Sequence, residues 1–153
     1  MNLQIIPYQK DYASDFYTLN IEWLETYFYV EDFDKEVLSN PEKYILGPGG
    51  YIFFAKEGEK VLGTVALMMH HSGFLELTKM AVLPEQRGKR IGQQLLQYCI
   101  DHAKELGEAK LLLYSNTILE NAIHIYRKYG FQEIEVEPNS PYKRSNIKME
   151  LNL

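Results

Sequence analysis

The chain has 153 residues, 46% hydrophobic and 24% charged, a balance that fits one domain with a real core and excludes disordered, collagen-like and coiled-coil classes. Subtracting 21 acidic from 16 basic residues gives a net charge of −5, which argues against a general nucleic-acid binder, whose affinity comes from neutralising phosphates. The longest apolar runs, such as Val65 to Met69, fall far below the ~20 residues of a membrane span, and the polar opening from Met1 to Tyr12 lacks a signal-peptide core. The expectation is a soluble, cytoplasmic protein, and the lone Cys99 cannot form an internal disulfide.

No repeat, low-complexity tract or linker interrupts the chain, so residues 1–153 are read as a single domain. Leu3 to Ile6 predicts a short strand ended by Pro7; Phe16, Leu19, Trp23, Leu24 and Tyr27 then recur at helical spacing behind an Asp11 or Ser14 cap. A shorter helix is expected from Asp32 to Leu38, and Leu46-Gly47-Pro48-Gly49-Gly50 marks a loop. Tyr51 to Lys56, Val61 to Met69 and Phe74 to Val82 read as a three-stranded antiparallel meander, turned first at Glu57-Gly58-Glu59-Lys60 and again at His70-His71-Ser72-Gly73. Ile91, Leu95, Cys99, Ala103 and Leu106 mark one face of a helix capped by Gly107. Lys110 to Tyr114 is a short strand, Ala122, Ile125, Tyr126 and Tyr129 form a helical stripe closed by Gly130, and Gln132 to Glu137 and Asn146 to Leu151 finish as strands. The class is α+β, a mostly antiparallel mixed sheet of about seven strands flanked by about four helices.

The chemistry concentrates after Leu83, where Pro84-Glu85-Gln86-Arg87-Gly88-Lys89-Arg90-Ile91-Gly92 joins a strand to the amphipathic helix. A helix N-terminus leaves about four amides unpaired and carries partial positive charge, and Gly88 and Gly92 let a phosphate approach the bare backbone. Arg87, Lys89 and Arg90 add cations in a chain that is otherwise acidic. A diphosphate suits such a loop. Neither the Walker pattern nor the dinucleotide fingerprint matches, which sets nucleoside triphosphates and NAD aside.

These residues resemble the acetyl-CoA loop of the GNAT superfamily of N-acetyltransferases, Gln/Arg-x-x-Gly-x-Gly/Ala, with Arg90 standing where the family usually has its middle glycine. A side chain there disfavours left-handed backbone but not helical backbone, and its guanidinium can reach a phosphate of the cofactor. Downstream, Asn116 and the run from Asn121 through Tyr126 to Gly130-Phe131 are similar to the family's Asn-x-x-Ala-x-x-x-Tyr-x-x-x-Gly-Phe helix. The order of elements is also the family's. The Trp23 region and Pro48-Gly49-Gly50 resemble a branch also found fused to MarR-type regulators.

The resemblance implies a GNAT-like fold and direct attack of an amine on acetyl-CoA in a ternary complex, with no acyl-enzyme, so Cys99 is expected to pack in the core. It implies that Met80, Ala81 and Val82 present backbone amides to the pantetheine arm and thioester, that Arg87, Gly88, Lys89, Arg90, Ile91 and Gly92 hold the diphosphate, and that Asn116, Asn121, Tyr126 and Lys128 complete the cofactor site. Tyr126 matches the family's general acid, protonating the leaving thiolate; Tyr129, on the same stripe, is assigned to packing. For the base that deprotonates the amine, Glu76 is the first choice, with Glu31 or Asp32 as alternatives and a solvent-facing strand position as the competing reading of Glu76.

His70, His71, His102 and His124 lack metal-ligand spacing, and adjacent strand histidines point to opposite faces, so no metal is expected. The acids between Glu22 and Glu36, interleaved with Trp23, Tyr27, Phe28 and Tyr29, either solvate a helix face or hold a cationic or aromatic amine. The acceptor is expected to be a primary amine of a small molecule or peptide, with no nucleic acid or membrane as partner and a homodimer open through an exposed sheet edge. A catalytically silent acyl-CoA sensor is the alternative function; a small phosphate- or RNA-binding domain is disfavoured by the charge.

Overall fold

The computed structural model describes residues 2–140 and 142–153. Seven strands form one sheet: β1 (Gln4–Pro7), β2 (Tyr51–Glu57), β3 (Lys60–Met69), β4 (Leu75–Val82), β5 (Lys110–Ser115), β6 (Gln132–Ile134) and β7 (Ile147–Asn152), in the order β1-β2-β3-β4-β5-β7-β6. Only β4 and β5 pair in parallel; every other neighbour is antiparallel. The helices are α1 (Ala13–Tyr27), α2 (Asp32–Ser39), α3 (Ile91–Glu105) and α4 (Glu120–Lys128). No helix among the described residues is long and apolar enough to cross a membrane.

The period-two alternation of the strands builds two cores, one on each face of the sheet. On β2, Phe53 and Ala55 join Leu95, Leu96 and Cys99 of α3, while Ile52 and Phe54 join Phe16 and Leu19 of α1 and Val37 and Leu38 of α2. Cys99 is fully buried in the first of these, and burial pushes its thiol well up from the ordinary value, which makes it a packing residue. β7 alternates as expected, with Ile147, Met149 and Leu151 inward. Its other face is half-covered because Lys148 and Glu150 reach Glu137 and Lys110 at 3.1 and 3.0 Å.

Some boundaries differ from the sequence expectation for identifiable reasons. Neither Asp11 nor Ser14 caps α1; a 3₁₀ turn over Lys10–Tyr12 leads into it, and Tyr12 occupies the cap position without a side-chain bond. α2 instead carries a reciprocal cap, in which Glu31 accepts from the third helical amide and its own amide donates to Asp34 at 3.0 Å. β6 stops at Ile134 rather than Glu137. The glycine-rich loop begins earlier than its letters suggest, in a π-helical turn over Glu42–Leu46. Gly107 and Gly130, at φ +79° and +103°, stop α3 and α4 in the left-handed region that favours glycine.

Gly50 has a different reason to be small. A Cβ there would lie 2.4 Å from the Leu67 carbonyl oxygen and 2.6 Å from that of Ile45, both backbone atoms. Gly50→Ala is expected to cost about 1–3 kcal/mol, read in urea denaturation as a lower midpoint at unchanged slope.

Candidate active site

The loop before α3 is open where a ligand would need it open. The amides from Gly88 to Gln93 have no hydrogen-bond partner among the described residues, and the first helical bond runs from the Gln94 amide to the Arg90 carbonyl at 3.0 Å. Gly88 is left-handed at φ +84°, with nothing within 4 Å of where a Cβ would sit. Arg90 is also left-handed, at φ +64° and ψ +17°, contrary to the expectation that its side chain would keep it helical. Such geometry costs a side-chain-bearing residue about 1–3 kcal/mol, a strain that recurs at ligand sites.

A groove of about 500 Å³ runs from this loop between α3 and α4. Of the residues assigned to the cofactor, Met80, Ala81, Val82, Arg87, Gly88, Arg90, Ile91, Gly92, Asn121, Tyr126 and Lys128 line it. Lys89 does not: it sits between two left-handed residues on the outer side of the turn, exposed to solvent. Asn116 does not either. Its amide nitrogen donates to the Arg144 carbonyl at 2.6 Å and its oxygen accepts from the Ile118 amide at 2.9 Å, so it shapes the loop after β5. Arg87 lines the groove but is already engaged, with its guanidinium on Glu22 at 2.5 Å and over the Tyr27 ring at 5.4 Å.

The inner end of the groove is made by a fault in the sheet. β4 and β5 pair only at Leu75–Leu111 and Glu76–Leu112 and then separate. Across the other edge, Thr64 pairs with Ala81 but Ala66 with Thr78, so Lys79 and Met80 together oppose Val65, and Lys79 is left-handed at φ +54°. This is a β-bulge, and it reverses the faces of the strand. Leu75 and Leu77 face the α3 core before it; Met80 and Val82 do so after it, while Ala81 turns to the α1 core. The opened wedge contains a smaller cavity of about 110 Å³, lined by Trp23, Phe28, Lys79, Tyr142 and Arg144 among others. Trp23, Met80, Ala122 and Tyr126 line both spaces, so Tyr126 stands where groove and cavity meet. No hydrogen bond to its hydroxyl is found among the described residues, and burial raises its pKa to about 12. Tyr129 instead packs on the α3 core, with its hydroxyl 3.4 Å from Gln93 Oε1.

An open loop at a helix N-terminus, a splayed strand pair and a tyrosine at the junction stand in a chain with known relatives. The profile of the "Acetyltransferase (GNAT) family" matches residues 14–131. The chain belongs to this family. An uncharacterized N-acetyltransferase of Schizosaccharomyces pombe is 29% identical over 132 residues, covering 83% of this chain and 80% of that protein. A GNAT-family acetyltransferase from Staphylococcus aureus Mu50 superposes with a TM-score of 0.87 at 24% identity, covering 99% of each chain. A Bacillus subtilis acetyltransferase solved in complex with CoA gives a TM-score of 0.75 at 20% identity, again over 99% of each chain. The protein is an acetyl-CoA-dependent N-acetyltransferase.

Around the acetyltransferase's inner cavity the structure corrects two sequence readings. Glu76 does not face solvent. It is buried, accepts from the Tyr142 hydroxyl at 3.2 Å, and burial raises its pKa to about 7 against the lowering effect of Lys79. The acids of the Glu22 to Glu36 stretch divide: Glu25, Asp32 and Glu36 are exposed, as a solvated face requires, whereas Glu22, Glu31 and Asp34 are turned to arginines and offer no free anionic patch. Glu22 holds Arg87, Glu36 accepts from the Tyr44 hydroxyl at 2.8 Å, and Glu31 and Asp34 both hold Arg144. Asp34 is fully buried; burial pushes its carboxyl up, and the hydrogen bonds and charges of Arg144 and Lys79 more than reverse this, leaving it below the usual carboxylate range. Asp32 takes no part in this network and lies on the outer side of α2.

The adjacent histidines also differ from expectation, because the strand ends at Met69 and both lie in the turn. Their rings approach to 4.0 Å, and ligand atoms of His70, His71 and Glu137 fall within 4.8 Å of one another. Both ring nitrogens of His70 are hydrogen-bonded, to Ser72 at 2.7 Å and to the Tyr114 hydroxyl at 2.8 Å.

Sequence reasoning missed Lys79, Tyr142 and Arg144, and placed Asp34 only within a run of acids. Tyr142 and Arg144 lie in an irregular segment with no period to read. Lys79 carried a weak signal, as a cation sharing a strand with Glu76 and Thr78. Replacing Asp34 with Asn would leave Arg144 and Lys79 short of a buried countercharge, and is expected to cost about 3–5 kcal/mol at neutral pH, measured by urea denaturation. Because its folded pKa is depressed, Asp34's contribution in the parent protein is complete above the ordinary carboxylate range and fades as pH falls through the lowered value.

Proposed function

We propose that this acetyltransferase moves the acetyl group of acetyl-CoA onto the primary amine of a small acceptor that enters the inner cavity, by direct attack in a ternary complex. The observation that carries the reading is the position of Tyr126, shared by the cofactor groove and the small cavity. The loop amides from Gly88 to Gln93, with Arg90 beside them, would hold the diphosphate, and the splayed edge of β4 near Met80 to Val82 would offer amides to the pantetheine arm and the thioester oxygen.

Acceptor amines are protonated near neutrality, so the incoming nitrogen must lose a proton before attack. Glu76 is assigned as the acceptor of that proton through Tyr142. The phenol lines the cavity and already donates to the carboxylate, so it can take a proton from the amine, directly or through one water, while passing its own to Glu76. The amine lone pair then forms the new C–N bond, the C–S bond breaks, and sulfur leaves as thiolate. A phenol held at about 12 is fully protonated near pH 7, whereas an ordinary thiol titrates at roughly 8.5. Complete proton transfer from Tyr126 would therefore be uphill. Its assigned contribution is a hydrogen bond that draws charge from the departing sulfur, with water supplying the final proton.

Acetyl-CoA is expected to raise the melting temperature of the protein, and Tyr126→Phe to keep that shift while slowing acetyl transfer by roughly 10²-fold. An unshifted melting temperature would remove the cofactor assignments; an unchanged rate would remove the role of Tyr126. A base with a pKa of about 7 is active when deprotonated, so kcat/KM should rise with pH through that value and level off above it. In Glu76→Gln the maximal rate should drop and this step should vanish from the profile.

A further inference from the structure

The geometry points to an acceptor amine that carries a compact oxyanion, a carboxylate or phosphonate, docked on the open edge of the Arg144 guanidinium in the inner cavity. The inference rests on the acetyl-transfer reading and adds the class of acceptor.

Two cations, Lys79 and Arg144, line the inner cavity, and no Asp or Glu does. The carboxylates that balance them approach from α2 and its cap, behind the cavity wall. Nη1 of Arg144 donates to Glu31 at 2.9 Å and to Asp34 at 2.5 Å, and Nη2 donates to the other Asp34 oxygen at 3.0 Å. A guanidinium has five N–H donors in a planar fork. The two that remain, on Nε and the neighbouring side of Nη2, have no partner among the described residues and share one edge of the plane. That edge is spaced for two oxygens of one oxyanion. The side chain is 14% exposed, and its unpartnered Nε is not a buried atom, so that donor is reachable rather than sealed. It is also held in place: the guanidinium lies 4.9 Å from the centre of the Tyr142 ring, which Lys79 Nζ also approaches, to 4.5 Å.

A cationic remainder on the acceptor would meet these two charges with no unpaired carboxylate to receive it, which argues against polyamines. Size narrows the class further. At about 110 Å³ the cavity is smaller than the ~150 Å³ space that accommodates benzene, so the part of the acceptor inside it comprises only a few heavy atoms. Short amino acids and aminoalkylphosphonates have this size and charge.

The test measures CoA release with matched acceptors: glycine, β-alanine and aminomethylphosphonate against glycinamide, ethylamine and ethylenediamine. The anionic members should be favoured in kcat/KM by about 10²-fold, because a polar site rejects an analogue that leaves its donors unpaired. Arg144→Lys keeps the charge and removes the fork. It should raise KM for the anionic acceptors by about tenfold or more and shrink their advantage over the neutral ones. A parallel measurement needs no turnover: methylphosphonate should raise the melting temperature of the CoA-bound parent protein and shift the variant less. Turnover that favours neutral or cationic amines overturns the inference and leaves acetyl transfer standing. Acetyl-CoA binding without a methylphosphonate shift or an anionic preference also overturns it. Failure to bind acetyl-CoA at all overturns the acetyl-transfer reading beneath it.

Discussion

The separation of β4 from β5 after Glu76 is the constraint on which the active site depends. Two parallel strands that remained paired would satisfy each other's backbone groups and leave no edge for a ligand. Here the extra residue at Lys79 twists β4 away from its partner and reverses which side chains face which core. A left-handed lysine is an unfavourable way to make a bulge, since glycine would adopt the same backbone without strain. The ion pair to Asp34 at 3.4 Å and the contact with Tyr142 hold that geometry. A single residue thus opens the sheet and places a cation at the cavity.

The network behind the cavity trades stability for order. Glu31, Asp34, Lys79 and Arg144 are largely removed from water, and taking charges out of water is repaid only when each is well paired. Because Asp34 joins α2 to β4 and to the segment around Arg144, the network ties together parts of the chain more than a hundred residues apart. Such coupling positions the cavity wall in a region where the backbone has no regular hydrogen-bonding pattern to rely on. Glu76 sits at the edge of the network and feels both its neighbour Lys79 and its own burial, which brings it near neutrality. A carboxylate tuned this way suits proton exchange better than one held fully charged.

The groove and the cavity divide the labour by chemistry. The groove offers backbone amides and a helix N-terminus, which recognise phosphate in any chain that presents them. The cavity offers side chains, Lys79, Tyr142 and Arg144 among them. Arg87, which the motif would send to the diphosphate, is instead spent on Glu22 and Tyr27, tying the loop to α1 at the mouth of the groove. Arg90 is the basic side chain of the motif that combines groove lining with a left-handed backbone.

The local periodicities carried most of the fold: the meander, both long helices, the glycine stops at Gly107 and Gly130, and the alternating last strand all express propensities of neighbouring residues. The loop-helix motif and Tyr126 were legible for the same reason, since a phosphate cradle and a helical stripe are written in consecutive letters. What neighbours in sequence cannot express, the tertiary structure decided. It buried Glu76, because the segment around Tyr142 folds over a strand face that looks open in isolation, and it brought Asp34, Lys79 and Arg144 together from three distant segments. It also set Glu22 against Arg87 and Glu31 and Asp34 against Arg144, and it withdrew Lys89 and Asn116 from the groove. Periodicity reports which face of an element is apolar; it carries no information about which charged group, arriving from elsewhere in the chain, will lie against that face.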